Sequence, residues 1–212
     1  DMSEDGYFDA TIAARYDVDH NGADPSAEVE LLADLASEAP ALEFAIGTGR
    51  VALPLSAQGV EVQGIELSRA MVARMRAKPG GQDIPVTIGD MSTTRVEGAF
   101  GLVLLVFNTI NNLTTQAAQV ACFQNAGRHL RPGGFFVIEV QVPPIQRLPE
   151  GARLLAFARD DTHMGIDEID VVSQSFTSHH IWTEAGETRR LSIPMRYVWP
   201  SELDLMAQLA GL

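Results

Sequence analysis

Between residues 24 and 142 the chain switches repeatedly between two hydrophobic periods, and this alternation limits what it can fold into more than any other feature. Helix-spaced apolar residues (Ala27, Val29, Leu31, Leu32, Leu35) follow Asp24-Pro25, where a carboxylate suits the cap and proline suits the first turn; Pro40 stops the run. Strand-like segments at 41–46 (ALEFAI), 60–66, 84–88, 99–107 (AFGLVLLVF) and 135–140 (FFVIEV) alternate with helical patterns at 50–58, 69–78 and 115–130. Ser68 caps the second of these helices, and Pro54 sits awkwardly near the start of the first. Gly47-Thr48-Gly49, Pro79-Gly80-Gly81 and Arg131-Pro132-Gly133-Gly134 supply the breaks. Strands separated by helices give a parallel sheet covered on both faces, and a nearly all-apolar strand such as 99–107 belongs at its centre.

The pattern changes after residue 142. Pro143, Pro144 and Pro149 mark a connector. Residues 153–159, 169–177, 181–184 and 189–199 then alternate at period two, with a turn at 184–187, which predicts an antiparallel β insertion. A last helix over 203–210 is introduced by Pro200-Ser201-Glu202 and stopped by Gly211. The expectation is an α/β chain: a doubly wound, mostly parallel sheet with an antiparallel insertion after strand five. One domain comprises residues 1–142 and 200–212, and residues 143–199 form a β-rich lid.

Charge narrows the partners. The chain has 15 Lys and Arg against 28 Asp and Glu, a formal net charge of −13, whereas tracking nucleic-acid phosphates or an anionic membrane needs clustered cations. Cys122 is the single cysteine, so no internal disulfide is available, and no zinc-ligand spacing occurs. The longest apolar run, 102–107, is far short of a membrane span, and the N-terminal DMSEDGYFDA is no secretory signal. These features predict a cytoplasmic protein that acts on neither nucleic acid nor membrane.

In a doubly wound sheet, ligands bind at the carboxyl ends of the strands. After strand one stands Glu43-Phe-Ala-Ile-Gly-Thr-Gly-Arg50, whose small residues Ala45, Gly47 and Gly49 let a ligand approach the backbone. Glu66 ends strand two, where a carboxylate can accept from two ribose hydroxyls. Asp90 follows strand three, placed to accept from an adenine amino group, with Met91 against the ring. Gly47-Thr-Gly49-Arg-Val-Ala52 also matches the dinucleotide fingerprint, so an NAD(P)-dependent oxidoreductase remains an alternative. The chain is short for such an enzyme with its own substrate domain, and Gly89-Asp90 and the Leu130–Gly134 join have no role there.

Glu43 to Gly49, Glu66, Gly89-Asp90 and Leu130 to Gly134 together resemble the class I S-adenosylmethionine-dependent methyltransferases, in the order and spacing of that family, over roughly residues 41–141. The resemblance implies the Rossmann-like methyltransferase fold, S-adenosylmethionine as methyl donor and a small-molecule N or O acceptor. It also implies a cofactor site: Ala45, Ile46, Gly47, Thr48 and Gly49 against the methionine part, Glu66 with Leu67 and Met71 at the ribose, Asp90 and Met91 at the adenine, and Phe107 and Asn108 at the methionine end facing the acceptor. Ala45 stands where the family usually has its first glycine, and Gly101 where it often has Asp. The stretch Tyr7-Phe8-Asp9 and Tyr16-Asp17 resembles the N-terminal cover of small-molecule members, in which a tyrosine lies near the sulfonium, so Tyr16 joins the set. In such members, amino-sugar N-methyltransferases among them, the β insertion builds an acceptor lid and sometimes a dimer contact.

Plainer roles compete. Asp90 can cap the next turn, and Asn108, Asn111 and Asn112 can be turn formers. His179 and His180 face opposite ways on a strand, so at most one points into a cleft; His20 and His163 are weaker candidates, and no general base or metal ligand is assigned. Trp182, Trp199, Tyr197 and Phe176 read as lid packing before acceptor recognition, and Cys122 as a packed thiol. A non-catalytic S-adenosylmethionine-binding module is the other alternative. The fold usually continues with further strands after its last helix. The C-terminal strands are therefore expected to be missing, with the edge at 135–140 left open or covered by a second copy in a homodimer through that edge or the β insertion.

Overall fold

The computed structural model describes residues 6–19, 25–184 and 186–212. Asp24, the expected cap, and His20 lie outside the described residues. The helix that Asp24 was expected to open is α2 (Ser26–Ala36), and the strands that follow are β1 (Ala41–Phe44), β2 (Val62–Glu66), β3 (Val86–Ile88), β4 (Phe100–Leu105) and β5 (Leu130–Ile138). They pair in parallel in the order β3-β2-β1-β4-β5. Between them run α3 (Ala52–Ala57), α4 (Arg69–Arg76) and α5 (Gln116–His129), and α6 (Pro200–Ala210) closes the chain's described part.

Side-chain alternation divides the core. Ala41 of β1 and Leu102 and Leu104 of β4 face Val29, Leu32, Leu55 and Met75 of α2, α3 and α4. Leu42 and Phe44, with Val103 and Leu105, face Cys122 and Phe123 of α5 and Leu203 and Met206 of α6. The two faces are thus both covered, as the strand pattern requires. Cys122 is buried, and burial pushes its thiol pKa up, so it is an inert packing group. Pro54 is tolerated because it is the third residue of α3, where an amide would have no intrahelical partner. At Gly101 a Cβ would come within 2.4 Å of the Ala39 Cβ, so the close approach of the α2–β1 connection requires glycine there.

A second sheet is antiparallel, β6-β7-β8-β9: β6 (Leu154–Arg159), β7 (His163–Asp170), β8 (Ser175–Glu184) and β9 (Glu187–Arg196). Three expectations need correction. The strand expected over 169–177 is interrupted, because the Asp170 carboxylate accepts from the Val172 and Ser173 amides and turns the chain between β7 and β8. β7 begins at His163, and residues 181–184 are the end of β8 rather than a separate strand. The turn expected at 131–134 is a bulge inside β5, between the Phe100–Leu130 and Leu102–Phe135 pairs. A further helix, α1 (Ala10–Asp19), was not foreseen.

A buried polar node docks the second sheet on the first. Arg196 at the end of β9 donates to Gln119 Oε1 of α5 at 2.5 Å and to Glu202 Oε1 of α6 at 2.7 Å, while Gln119 Nε2 donates to the Arg196 carbonyl at 3.0 Å. Gln174 and Gln116 also donate to Glu202. Burial works against the Glu202 carboxylate, but these hydrogen bonds outweigh it and hold its pKa below the ordinary value.

Removing one partner of such a pair leaves a buried charge, so Arg196→Ala is expected to cost about 3 kcal/mol in urea unfolding. Because the folded pKa of Glu202 is depressed, its contribution is present above the unfolded value and lost as pH falls through the folded one. Glu202→Gln is therefore expected to lower stability at pH 7 and to flatten its decline below about pH 4.5, measured by thermal melting across pH.

Candidate active site

The carboxyl ends of β1, β2, β3 and β4 surround a cavity of about 380 Å³. The loop after β1 turns sharply, with φ values of 52° at Ala45, 58° at Gly47 and 81° at Gly49. That loop is held by Glu66, whose Oε2 accepts from the Gly47 amide at 2.8 Å and whose Oε1 accepts from the Ser68 amide at 2.9 Å. A Cβ on Gly47 would lie 3.4 Å from Met71 Cε, so a side chain there would fill the cradle between loop and helix. Ser68 caps α4 by accepting from the Met71 amide at 3.1 Å, and its hydroxyl donates to the Phe8 carbonyl.

The N-terminal segment closes over this cavity. Asp17 of α1 accepts from Thr48 Oγ1 at 2.6 Å and pairs with Lys78 Nζ at 2.8 Å; Lys78 also donates to the Thr48 carbonyl. Burial opposes ionisation of Asp17, but the bonds from Lys78 and Thr48 prevail and lower its pKa. Tyr16 meets Phe8 edge to face at 6.0 Å. Burial raises the Tyr16 pKa, helped by the Glu66 and Asp17 carboxylates and opposed by Arg50.

Of the residues singled out in the sequence, Tyr16, Ala45, Gly47, Glu66, Leu67, Met71, Asp90 and Met91 line this cavity together. Ile46, Thr48 and Gly49 line neither this cavity nor the one next to it. Ile46 packs on Gly64, where a Cβ would come within 2.6 Å of it, and Gly49 lies against Met75 and Leu53. Asp90 is on the wall and also caps: its Oδ1 accepts from both the amide and hydroxyl of Ser92 at 2.7 Å. Buried Glu43, the first acid of the loop motif, has its pKa pushed up to about 8 by burial, against the pull of Arg50.

Phe107 and Asn108 line a second cavity of about 430 Å³. Both residues have left-handed backbone, φ 62° and 60°. The Glu139 side chain accepts from the Phe107 amide at 2.7 Å, and the Asn108 side chain accepts from the Gln141 amide. Arg50 pairs with Glu28 at 3.0 Å and lies over the Phe107 ring at 5.0 Å. The second cavity is walled by α1 on one side and the inner face of β7, β8 and β9 on the other, with His163, His180, Trp182, Arg189 and Leu191 on that wall. Both cavities touch Phe8, Tyr16, Thr109, Asn112 and Ile193, so they meet at a common partition. His179 faces away, bonded to Ser192 Oγ at 2.8 Å, and Phe176, Tyr197 and Trp199 pack in the small core under the second sheet. Thr109, Leu113, Thr114, Ile193 and Pro194 line the first cavity without having been foreseen. The last two carry no motif and reach the cavity only through the pairing of β8 with β9.

The pattern of a methyltransferase domain family matches residues 41–134. Over 99% of its length the chain is 34% identical to the CcbJ methyltransferase of Streptomyces caelestis, covering 88% of that structure with a TM-score of 0.85. It is 26% identical to the cypemycin N-terminal methyltransferase of a Streptomyces species, over all of this chain and 89% of that one. It is 25% identical to CalS10 of Micromonospora echinaspora, an amino pentose methyltransferase solved with S-adenosylmethionine bound, over 92% of this chain and 87% of that one, with a TM-score of 0.71. The chain belongs to the S-adenosylmethionine-dependent methyltransferases. That membership favours S-adenosylmethionine over NAD as the cofactor. The turned loop, the cradle at Gly47 and the carboxylate at Glu66 fit such a donor.

Ala45 holds its left-handed φ at a cost of roughly 1–2 kcal/mol that glycine avoids. Ala45→Gly is expected to stabilise the protein by about 1 kcal/mol in urea unfolding, once the greater chain entropy of glycine is deducted.

Proposed function

We propose that the first cavity holds S-adenosylmethionine and the second an amine-bearing small molecule, so that the chain is an N-methyltransferase of small molecules. The observation that carries this reading is the common partition: two cavities of ligand size meet at Phe8, Tyr16, Thr109, Asn112 and Ile193. Residues 1–142 and 200–212 then form the donor-binding domain, and residues 143–199 the acceptor lid. The names of the cypemycin N-terminal methyltransferase and of the amino pentose methyltransferase CalS10 support an amine as the acceptor.

Glu66 would hold the ribose hydroxyls, Asp90 the adenine amino group with Met91 against the ring, and the Ala45–Gly47 backbone the methionine part. S-adenosylmethionine, when bound, supplies a methyl group already activated by a sulfonium. The protein's task is alignment and exclusion of water. Phe8 and Tyr16 cover the partition from above, and Asp17, Thr48 and Lys78 lock that cover to the glycine loop. No group of His, Cys, Asp and Glu among the described residues is arranged to hold a metal ion, and no described helix is long and apolar enough to cross a membrane.

Calorimetric titration with S-adenosylmethionine, S-adenosylhomocysteine and NAD is expected to show micromolar binding of the first two and none of NAD. Glu66→Ala is expected to weaken S-adenosylmethionine binding by about 10- to 100-fold, for a loss on the order of 1–3 kcal/mol. Unchanged affinity would remove Glu66 from the site. The acceptor class is tested by incubating the protein and S-adenosylmethionine with a panel of amines: free and nucleotide-linked amino sugars, and peptides with a free amino terminus. Mass spectrometry should find at least one of them methylated. Binding of the donor with no amine methylated would overturn the acceptor reading and leave the donor site standing.

A further inference from the structure

The sheet wall of the second cavity carries a polar chain that donor binding does not use. Register sets His163 opposite Trp182 and His180 opposite Gly165, so the two imidazoles lie diagonally across β7 and β8 on the cavity face. They share a hydrogen bond, His163 Nε2 with His180 Nδ1, at 3.0 Å, and their ring planes differ by 4°. Trp182 stacks near both, with centroids 5.0 Å from His163 and 5.2 Å from His180. Phe157 of β6 meets His180 edge-on at 5.3 Å by lying across Gly165, where a Cβ would come within 2.3 Å of its ring. The imidazoles are therefore fixed in place by neighbouring rings.

Hydrogen bonding continues from the pair. His180 Nε2 is 3.4 Å from Ser178 Oγ, and Ser178 is hydrogen-bonded to the Asp167 carboxylate. Beyond the other end, Asp160 accepts from the His163 amide at 2.7 Å and lies close enough for charge to act between the two side chains. Facing the pair across the cavity are Arg15 and Tyr16 of α1, and Arg189 of β9 lies over the Trp182 ring at 3.7 Å. Asp160 thus stands beside His163, and Arg15 and Arg189 line the same cavity.

A hydrogen bond between two imidazoles needs one ring to donate and the other to accept. The neutral pair can take one further proton and share the charge, but two imidazolium rings at this distance repel. The arrangement is a one-proton acceptor built into the wall of the acceptor cavity. An aliphatic amine is protonated at neutral pH and has no lone pair to offer until that proton leaves.

We propose that the His163–His180 pair takes the proton from the amine to be methylated. This rests on the reading of the second cavity as the acceptor site. The acceptor ammonium gives its proton to an outer ring nitrogen of the pair, which becomes a monocation through the shared bond. The freed nitrogen lone pair forms the new bond to the methyl carbon as the donor's carbon–sulfur bond breaks, with its electrons left on sulfur. The products are S-adenosylhomocysteine, a methylated ammonium and a protonated pair, which returns its proton to solvent.

The test uses the intact chain and the single variants His163→Gln and His180→Gln. Ring proton and carbon NMR of the wild type, with S-adenosylhomocysteine bound, should show the two imidazoles titrating as a coupled pair, and each variant should shift the titration of the remaining ring. Independent titrations with no such shift would overturn the proposal. With the amine that the wild type methylates in the panel, each variant should lose about 100-fold in kcat at pH 7 with unchanged affinity for S-adenosylhomocysteine. The loss should shrink as pH rises toward the pKa of the amine, where solvent removes the proton; a packing defect would not recover. An unchanged kcat and pH profile would also overturn the assignment. If donor binds but no amine is methylated by the wild type, the acceptor reading fails and this proposal falls with it.

Discussion

Both oxygens of the Glu66 carboxylate are engaged by backbone amides, one from the loop after β1 and one from the start of α4. That single side chain fixes the mouth of the parallel sheet. It pins a loop whose φ values are positive at Ala45, Gly47 and Gly49, and it orients the residue that caps α4. A carboxylate accepting two amide bonds still has lone pairs to offer, so the group that shapes the cavity is also chemically able to hold a diol. If Glu66 holds the donor as proposed, structure and binding converge on one residue, and the loss expected for Glu66→Ala combines a missing ligand contact with a loosened loop.

The remaining supports follow from that anchor. α1 has little to hold it in isolation, since ten residues are marginal as a free helix. It is retained through polar contacts to the same region: Asp17 to Thr48 and Lys78, Arg74 to the Ala14 carbonyl at 3.1 Å, and Ser68 to the Phe8 carbonyl. On the opposite side, Arg196, Gln119 and Glu202 fix the angle at which the antiparallel sheet leans over the cavity. A buried ionic node of this kind adds little net stability over a hydrophobic one, but its directed bonds set the relative position of two sheets.

This division explains which parts were legible in the sequence. The five parallel strands, the helices between them and the strand-end residues that line the first cavity come from contiguous motifs governed by local rules: alternation of period, glycine at turned backbone, a serine cap. The reason for glycine at 101 is a tertiary approach that no local rule shows: a Cβ there would come within 2.4 Å of the Ala39 Cβ. α1 was missed because its sequence, ATIAARYDVD, has a weak apolar stripe and its stability comes from partners thirty to sixty residues away. β7 was missed because HMGIDEID carries three carboxylates in its second half, Asp167, Glu168 and Asp170, and a glycine in its first, which propensity reads as non-strand. Glycine is there because Phe157 crosses it.

The sheet wall of the second cavity is a property of register. His163 and His180 are seventeen residues apart, and neither has a motif around it; their bond exists only because Asp170 turns the chain where it does. Moving that turn by one residue would carry His180 and Trp182 to the outer face and bring His179 inward. The first cavity is thus written in short motifs at strand ends, while the far wall of the second is assembled by a turn and by strand pairing. Variation in the insertion can therefore alter the wall of the second cavity without disturbing Glu66 or the loop it holds.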